Sequence, residues 1–222
     1  MRPPFSPLHL LLFVLALGFL IAFVQVGVLT IAFDKLGLSQ GSAFALLFTS
    51  LFGSLINLPL FTVDAQEPPP EAVPPEIRGL LRGAARPFRG KTLIAVNVGG
   101  GLVPVLFSVY LMQHHALPWL EIVLATAAVA AVSYAMSRPV PGLGIGMPVF
   151  VAPVTAALVA VLLGNEHSAP LAYIGGTLGV LVGADLLRLG DIRRMGTPVA
   201  SIGGAGTFDG IFITGIVAVL LA

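Results

Sequence analysis

Two carboxylates stand alone inside apolar segments of this chain, Asp185 and Asp209. An ionisable group at membrane depth is costly, so such groups are rare and usually functional. Both have glycine neighbours: Gly183-Ala184-Asp185 in one segment, and Gly203-Gly204-Ala205-Gly206-Thr207-Phe208-Asp209-Gly210 in the next. Two carboxyl groups at hydrogen-bonding distance cannot easily ionise together. One keeps its proton and acts as an acid, while the other activates water. Their titration belongs to the pair. Glycine beside such a pair lets a substrate backbone approach closely. The pattern points to an aspartyl-type intramembrane hydrolase. Asp185 and Asp209 are its expected catalytic residues, and Gly204, Gly206, Thr207 and Gly210 are expected to line the substrate.

The same residues admit plainer roles. Asp185 stands three residues before Arg188, a spacing that suits an ion pair on one helix face. Asp209 stands where it would cap the last helix. A small proton- or cation-coupled transporter would also place carboxylates at this depth, and a non-catalytic scaffold would keep them for structure alone.

Other chemistries find less support. His114, His115, Glu121, Glu166 and His167 are metal-compatible, but none shows a ligand spacing such as His-Glu-x-x-His. They read as polar loop residues, and no metal is expected. Without cysteine, disulfides, zinc–thiolate sites and a thiol nucleophile are excluded. Lys35 and Lys91 lie at membrane edges, which disfavours a Ser–Lys dyad. No phosphate-cradling or dinucleotide fingerprint is present. No cofactor is expected. The net charge of +1, without a basic patch of interleaved aromatics, argues against nucleic acid.

The elements that must position the carboxylates are membrane helices. The chain is 57% hydrophobic and 9% charged, against about 25% charged in soluble domains. Its mean hydropathy is +1.01. Hydropathy predicts an all-α, polytopic transmembrane bundle of about seven spans. They are Leu8–Ala32, Ser42–Val63, Leu93–Met112, Leu117–Met136, Met147–Leu163, Ala169–Leu187 and Pro198–Ala222. The first span is too long for a signal-peptide core and reads as a retained helix. Before the fifth, the Gly/Pro-rich stretch 139–150 suggests a re-entrant loop.

Basic residues set the orientation. Arg2, Arg78, Arg82, Arg86, Arg89, Lys91, Arg138, Arg188, Arg193 and Arg194 all fall on one side of this arrangement, and Lys35 on the other. That bias predicts an N-in, C-out protein of the cell inner membrane. Its expected partners are membrane lipid and a transmembrane helical peptide as substrate. Oligomeric state is not read from the sequence.

Three regions follow. Residues 1–63 carry two helices, 64–91 form a cytoplasmic segment, and 92–222 form a five-helix domain holding Asp185 and Asp209. In the middle region, Glu67-Pro68-Pro69-Pro70-Glu71 reads as an extended linker. Ile77, Leu80, Leu81, Ala84 and Ala85, interleaved with arginines, read either as a basic amphipathic helix on the membrane surface or as a solvated connector.

Depth constrains the pair. Asp185 lies about one turn inside the cytoplasmic boundary. A seventh span helical from Pro198 would put Asp209 about 16 Å deep, at a different level. Gly203, Gly204 and Gly206 disfavour a regular helix there. A helix starting near Gly206 would bring Asp209 to roughly 5 Å depth, level with Asp185. The pair therefore requires an unwound start to the last span. Gly175, Gly179 and Gly183 form a small-residue ridge lying about 120° away from Asp185 around the helix, and the ridge reads as a docking surface for another helix. Asn97, Gly99-Gly100-Gly101 and Pro104 predict a broken third helix. Such breaks line binding sites in transporters. Asn57 and Pro59 disturb the second span in the same way.

The spacing of Gly204, Gly206 and Asp209 on an inside-to-outside seventh span resembles the GxGD intramembrane aspartyl proteases, the presenilin, signal-peptide-peptidase and prepilin-peptidase group. In that group the sixth span carries one catalytic aspartate near the cytosol and the next span carries the other. The resemblance implies these roles for Asp185 and Asp209. Here Thr207 and Phe208 intervene before Asp209, Ala184 stands where many members have Tyr, and no Pro-Ala-Leu motif is present. Over more of its length the chain resembles an uncharacterised bacterial and archaeal membrane family, the domain of unknown function 1614. That likeness rests on Gly183-Ala184-Asp185-Leu186-Leu187 and the stretch from Ser201 to Phe212. It implies no established activity.

Overall fold

In chain order the helices are α1 (Val28–Lys35), α2 (Gln40–Gly53), α3 (Val103–His114), α4 (Trp119–Met136), α5 (Val151–Gly164), α6 (Ser168–Val180) and α7 (Gly210–Leu221). The strands are β1 (Asn57–Asp64), β2 (Lys91–Asn97), β3 (Arg138–Val140), β4 (Gly144–Gly146) and β5 (Val199–Ile202). This computed structural model describes residues 14–18, 28–66, 90–140, 144–204 and 210–222.

The centre of the bundle is α6. In the apolar window of Ser168–Leu186, 72% of the residues are buried, against 28% for α4. Small residues make this possible. A Cβ on Gly175 would lie 2.9 Å from the Ala125 Cβ, one on Gly179 would lie 2.5 Å from the Val129 Cβ, and one on Gly183 would overlap the Ala130 carbonyl. The expected glycine ridge is therefore the α4 docking surface. A Cβ on Gly176 would sit 3.2 Å from Ala156 of α5, and one on Gly215 of α7 would sit 2.7 Å from the Tyr173 ring. Phe107 of α3 meets Tyr173 edge-on at 4.9 Å. Four helices thus close on α6. At the far end of α7, the Lys35 ammonium donates to the Val219 carbonyl at 3.4 Å, a cation at a helix C-terminus.

The chain is mostly helical, as expected, but it is not all-α. β1 and β2 run antiparallel, β5 joins β2 in parallel, and the order is β1-β2-β5. These strands take the ends of three expected spans. The second span, Ser42–Val63, breaks after Gly53, and Asn57–Asp64 becomes β1. The third begins as β2 and the seventh as β5. Hydropathy cannot separate a short apolar strand from a helix end. The residues can: Thr62, Val63, Thr92, Ile94, Val96, Val199 and Ile202 are β-branched, and such side chains favour extended backbone.

Seven full-length spans are not supported by the described residues. Among the described residues, only Trp119–Met136 and Ser168–Leu186 are helices long and apolar enough to cross a membrane. The others are shorter: α7, for example, has 12 residues, or about 18 Å at 1.5 Å per residue. The stretch expected as a re-entrant loop contributes to an antiparallel pair, with Arg138 opposite Gly146 and Val140 opposite Gly144. The expected first span lies largely outside the described residues, as does the amphipathic segment within 67–89.

A second small core lies against the sheet. Ile94, Ile192 and Met195 are buried there, with Val63, Leu189, Ala200 and Ile202 packed around them. It fastens the turn after α6 to the strands, and so fixes where α6 ends.

Candidate functional site

Asp185 sits at that end. After Val180 the α-helix widens into a π-helical turn, Leu181–Leu186, which carries Asp185. Turns of this kind are rare and frequently mark functional sites. The Asp185 side chain is partly buried. Its Oδ2 accepts the Gly203 N–H at 2.7 Å, the short distance expected of a charge-assisted bond.

The position of Gly203 follows from its surroundings. β5 ends at Ile202, and the chain turns through Gly203 and Gly204 with φ of +81° and +96°. Side chains rarely adopt such angles. A Cβ on Gly203 would also lie 2.5 Å from the Gly101 Cα. The turn therefore rests directly on the break in the third apolar segment.

That break is a second π-helical turn, Val98–Leu102, between β2 and α3. Asn97 caps it. Its Oδ1 accepts the Gly100 N–H at 2.8 Å, and its Nδ2 donates to the Ser54 carbonyl at 2.7 Å. The same Nδ2 reaches Asn57 Oδ1 at 3.1 Å. Asn57 Oδ1 also accepts the Ser201 hydroxyl at 2.5 Å. Asn97 is fully buried, so these bonds are what make its burial tolerable. On the other side, Ser50 Oγ donates to the Gly99 carbonyl at 2.6 Å, and a Cβ on Gly99 would overlap the Ser50 carbonyl. The three glycines thus let a turn be gripped from both sides. Asp185, Gly203 and the glycine break form one layer.

The Arg188 guanidinium is shared among several partners. Its Nη2 donates to the carbonyls of Tyr134 and Ser137 at 2.6 and 2.8 Å, and its Nε to Ser137 Oγ at 3.2 Å. Nη1 pairs with Asp191 at 3.0 Å, and the guanidinium lies 4.1 Å from the centre of the Tyr134 ring. Asp191 is a third exposed, so that pair contributes under about 1 kcal/mol. The stronger part is a cation closing the C-terminus of α4. It holds the end of α6, and with it Asp185, against α4.

Of the expected substrate residues, Gly204 lies in the turn after Gly203 and Gly210 opens α7. Gly206, Thr207 and Asp209 lie outside the described residues. Sequence reasoning missed Gly203 as a donor to Asp185, and it missed the Asn57–Asn97–Ser201 link. The adjacent glycines Gly203 and Gly204 were the available signal. At the opposite end, His115 and His167 meet edge-on at 6.4 Å and His114 stacks on Tyr110 at 3.9 Å. Among the described residues no three His, Asp or Glu side chains gather as a metal site would require.

A family model described as a protein of unknown function (DUF1614) matches residues 51–221. No curated protein matches the chain, and no solved structure does. The matched range contains the sheet, both π-helical turns, Asp185 and Gly203.

Proposed function

The chain belongs to the DUF1614 family, and from the docking of Asp185 on Gly203 we propose that it is an intramembrane aspartyl protease using Asp185 and Asp209. The bond between Asp185 and Gly203 spans 18 residues. It ties the segment carrying one carboxylate to the glycine-rich segment that leads to the other. The unwound start that the pair requires has a counterpart in β5 and the Gly203–Gly204 turn, which precede α7. The Gly204, Gly206, Asp209 spacing supports the same reading.

In this reading one carboxylate takes a proton from water as the water oxygen attacks the scissile carbonyl. The protonated partner gives its proton to the carbonyl oxygen. The carboxyl that took the water proton then gives it to the amide nitrogen, and the C–N bond breaks. A gem-diol hydroxyl returns its proton to the other carboxylate as the acid product forms. The protein is embedded in the inner membrane as a multi-pass helical bundle, N-in and C-out. Ten of the eleven Lys and Arg residues then lie on the cytoplasmic side with Asp185 and the sheet. Gly204, Gly206, Thr207 and Gly210 border the substrate backbone.

One observation favours a second reading. The broken third helix touches Gly203 directly, and unwound backbone beside a carboxylate is how carriers hold a proton or cation. The discriminating experiment uses purified protein in liposomes with a helical transmembrane peptide and no gradient. The protease reading expects cleavage that falls at least 100-fold in both Asp185→Asn and Asp209→Asn. Uptake that follows a pH gradient and is lost in Asp185→Asn, with no cleavage by wild type, would replace it with the carrier.

A further inference from the structure

Phe44, Phe48 and Phe52 stack along α2 at 6.3 and 6.1 Å, and all three are exposed. The exposed apolar run continues down the chain through Leu55 and Ile56 to Leu58, Leu60 and Phe61 of β1. It ends at a cavity of about 320 Å³ beside the sheet. Phe61, Val63 and Ile94 form the strand wall, and Leu189, Gly190 and Arg193 from the turn after α6 form the other. The Gln66 N–H donates to the Arg193 carbonyl at 2.8 Å, which closes β1 onto that turn.

Arg193 is exposed. Among the described residues no carboxylate pairs with the Arg193 guanidinium, and nearby Asp191 is taken by Arg188. Arg194 and Lys91 are exposed as well. An apolar ramp that ends on a free cation fits one kind of molecule. Its chain covers the ramp and its anionic head meets the guanidinium, whose planar fork matches a phosphate. Anionic headgroups are concentrated where cytoplasmic arginines sit.

We propose that this groove binds an anionic phospholipid, with an acyl chain along Phe61 and Val63 and the phosphate on Arg193. The proposal rests on the membrane reading above and is independent of the hydrolase reading. The test uses the full chain in nanodiscs of phosphatidylcholine with phosphatidylglycerol. After transfer to detergent, native mass spectrometry counts retained lipid. Wild type and Arg194→Gln should keep a phosphatidylglycerol. Arg193→Gln and Val63→Asp should each lose it at least tenfold, with Arg193→Lys intermediate and inorganic phosphate at millimolar concentration unable to displace it. Equal retention in wild type, Arg193→Gln and Val63→Asp overturns the site. Equal retention of phosphatidylcholine, or displacement by free phosphate, overturns the lipid assignment. Arg193 is exposed, so its variants should melt like wild type.

Discussion

The carboxylate of Asp185 accepts the backbone N–H of Gly203 at 2.7 Å. This bond connects the π-helical end of α6 to the turn that follows β5. Through it a carboxylate of the bundle reaches the glycine-rich segment before α7. Everything nearby serves its geometry: Gly101 lies under Gly203, Asn97 caps the turn beneath, and Arg188 holds the end of α6.

Gly203→Ala should disrupt this layer. The left-handed backbone costs a side chain about 1–2 kcal/mol, and overpacking against Gly101 adds about 1–3 kcal/mol. Thermal melts should show a clear drop, and amide exchange at residues 203–204 should accelerate. Gly190→Ala is the control. A Cβ there meets open space, so its melt should stay near wild type.

Asn97→Ala should cost about 1–3 kcal/mol, because it leaves the buried Ser54 carbonyl and the Gly100 N–H without their partner. Asn97→Asp should not rescue it. A carboxylate can accept from Gly100 but cannot donate to Ser54 or Asn57. Denaturant or thermal unfolding of both variants checks this, and a stable Asn97→Asp would contradict the donor role.

Arg188→Ala should lower stability by about 1.5–3 kcal/mol, the usual worth of hydrogen bonds to a charged group. Arg188→Lys should recover little, since one ammonium cannot reach Tyr134, Ser137 and Asp191 with a planar fork. Asp191→Asn should cost under about 1 kcal/mol. The ordering of the three melts is the readout. An Asp191→Asn effect as large as Arg188→Ala would assign the work to the ion pair instead.

Much of this was legible in the residues. The lone Asp185, the Gly175–Gly179–Gly183 ridge and the break at Gly99–Gly101 are each where composition put them. The ridge was readable because small residues at four-residue spacing have one common use in a bundle. The strands were not. Their residues are as apolar as helix ends, and a hydropathy window averages over the switch from period 3.6 to period 2. The partner of Asp185 was hidden for a different reason. Gly203 offers only a backbone N–H, and nothing in a residue's type says that its amide will meet a carboxylate 18 positions earlier. The grip of Arg188 on α4 was not legible, because its partners there include backbone carbonyls 51 and 54 residues away.

The central claim is that Asp185 and Asp209 form a pair, and the absence of native cysteine makes it directly measurable. Asp185→Cys and Asp209→Cys should be combined in the full chain, oxidised in membranes, and mapped by mass spectrometry for a joined peptide. A disulfide forms only when the two Cα atoms come within about 7 Å. Cysteines at the register partners Phe61 and Ile94 provide the positive control. The account predicts that the 185–209 bridge forms as readily as the control. If the control bridges while both thiols of the 185–209 variant remain open to alkylation, the carboxylates do not meet and the pair is contradicted.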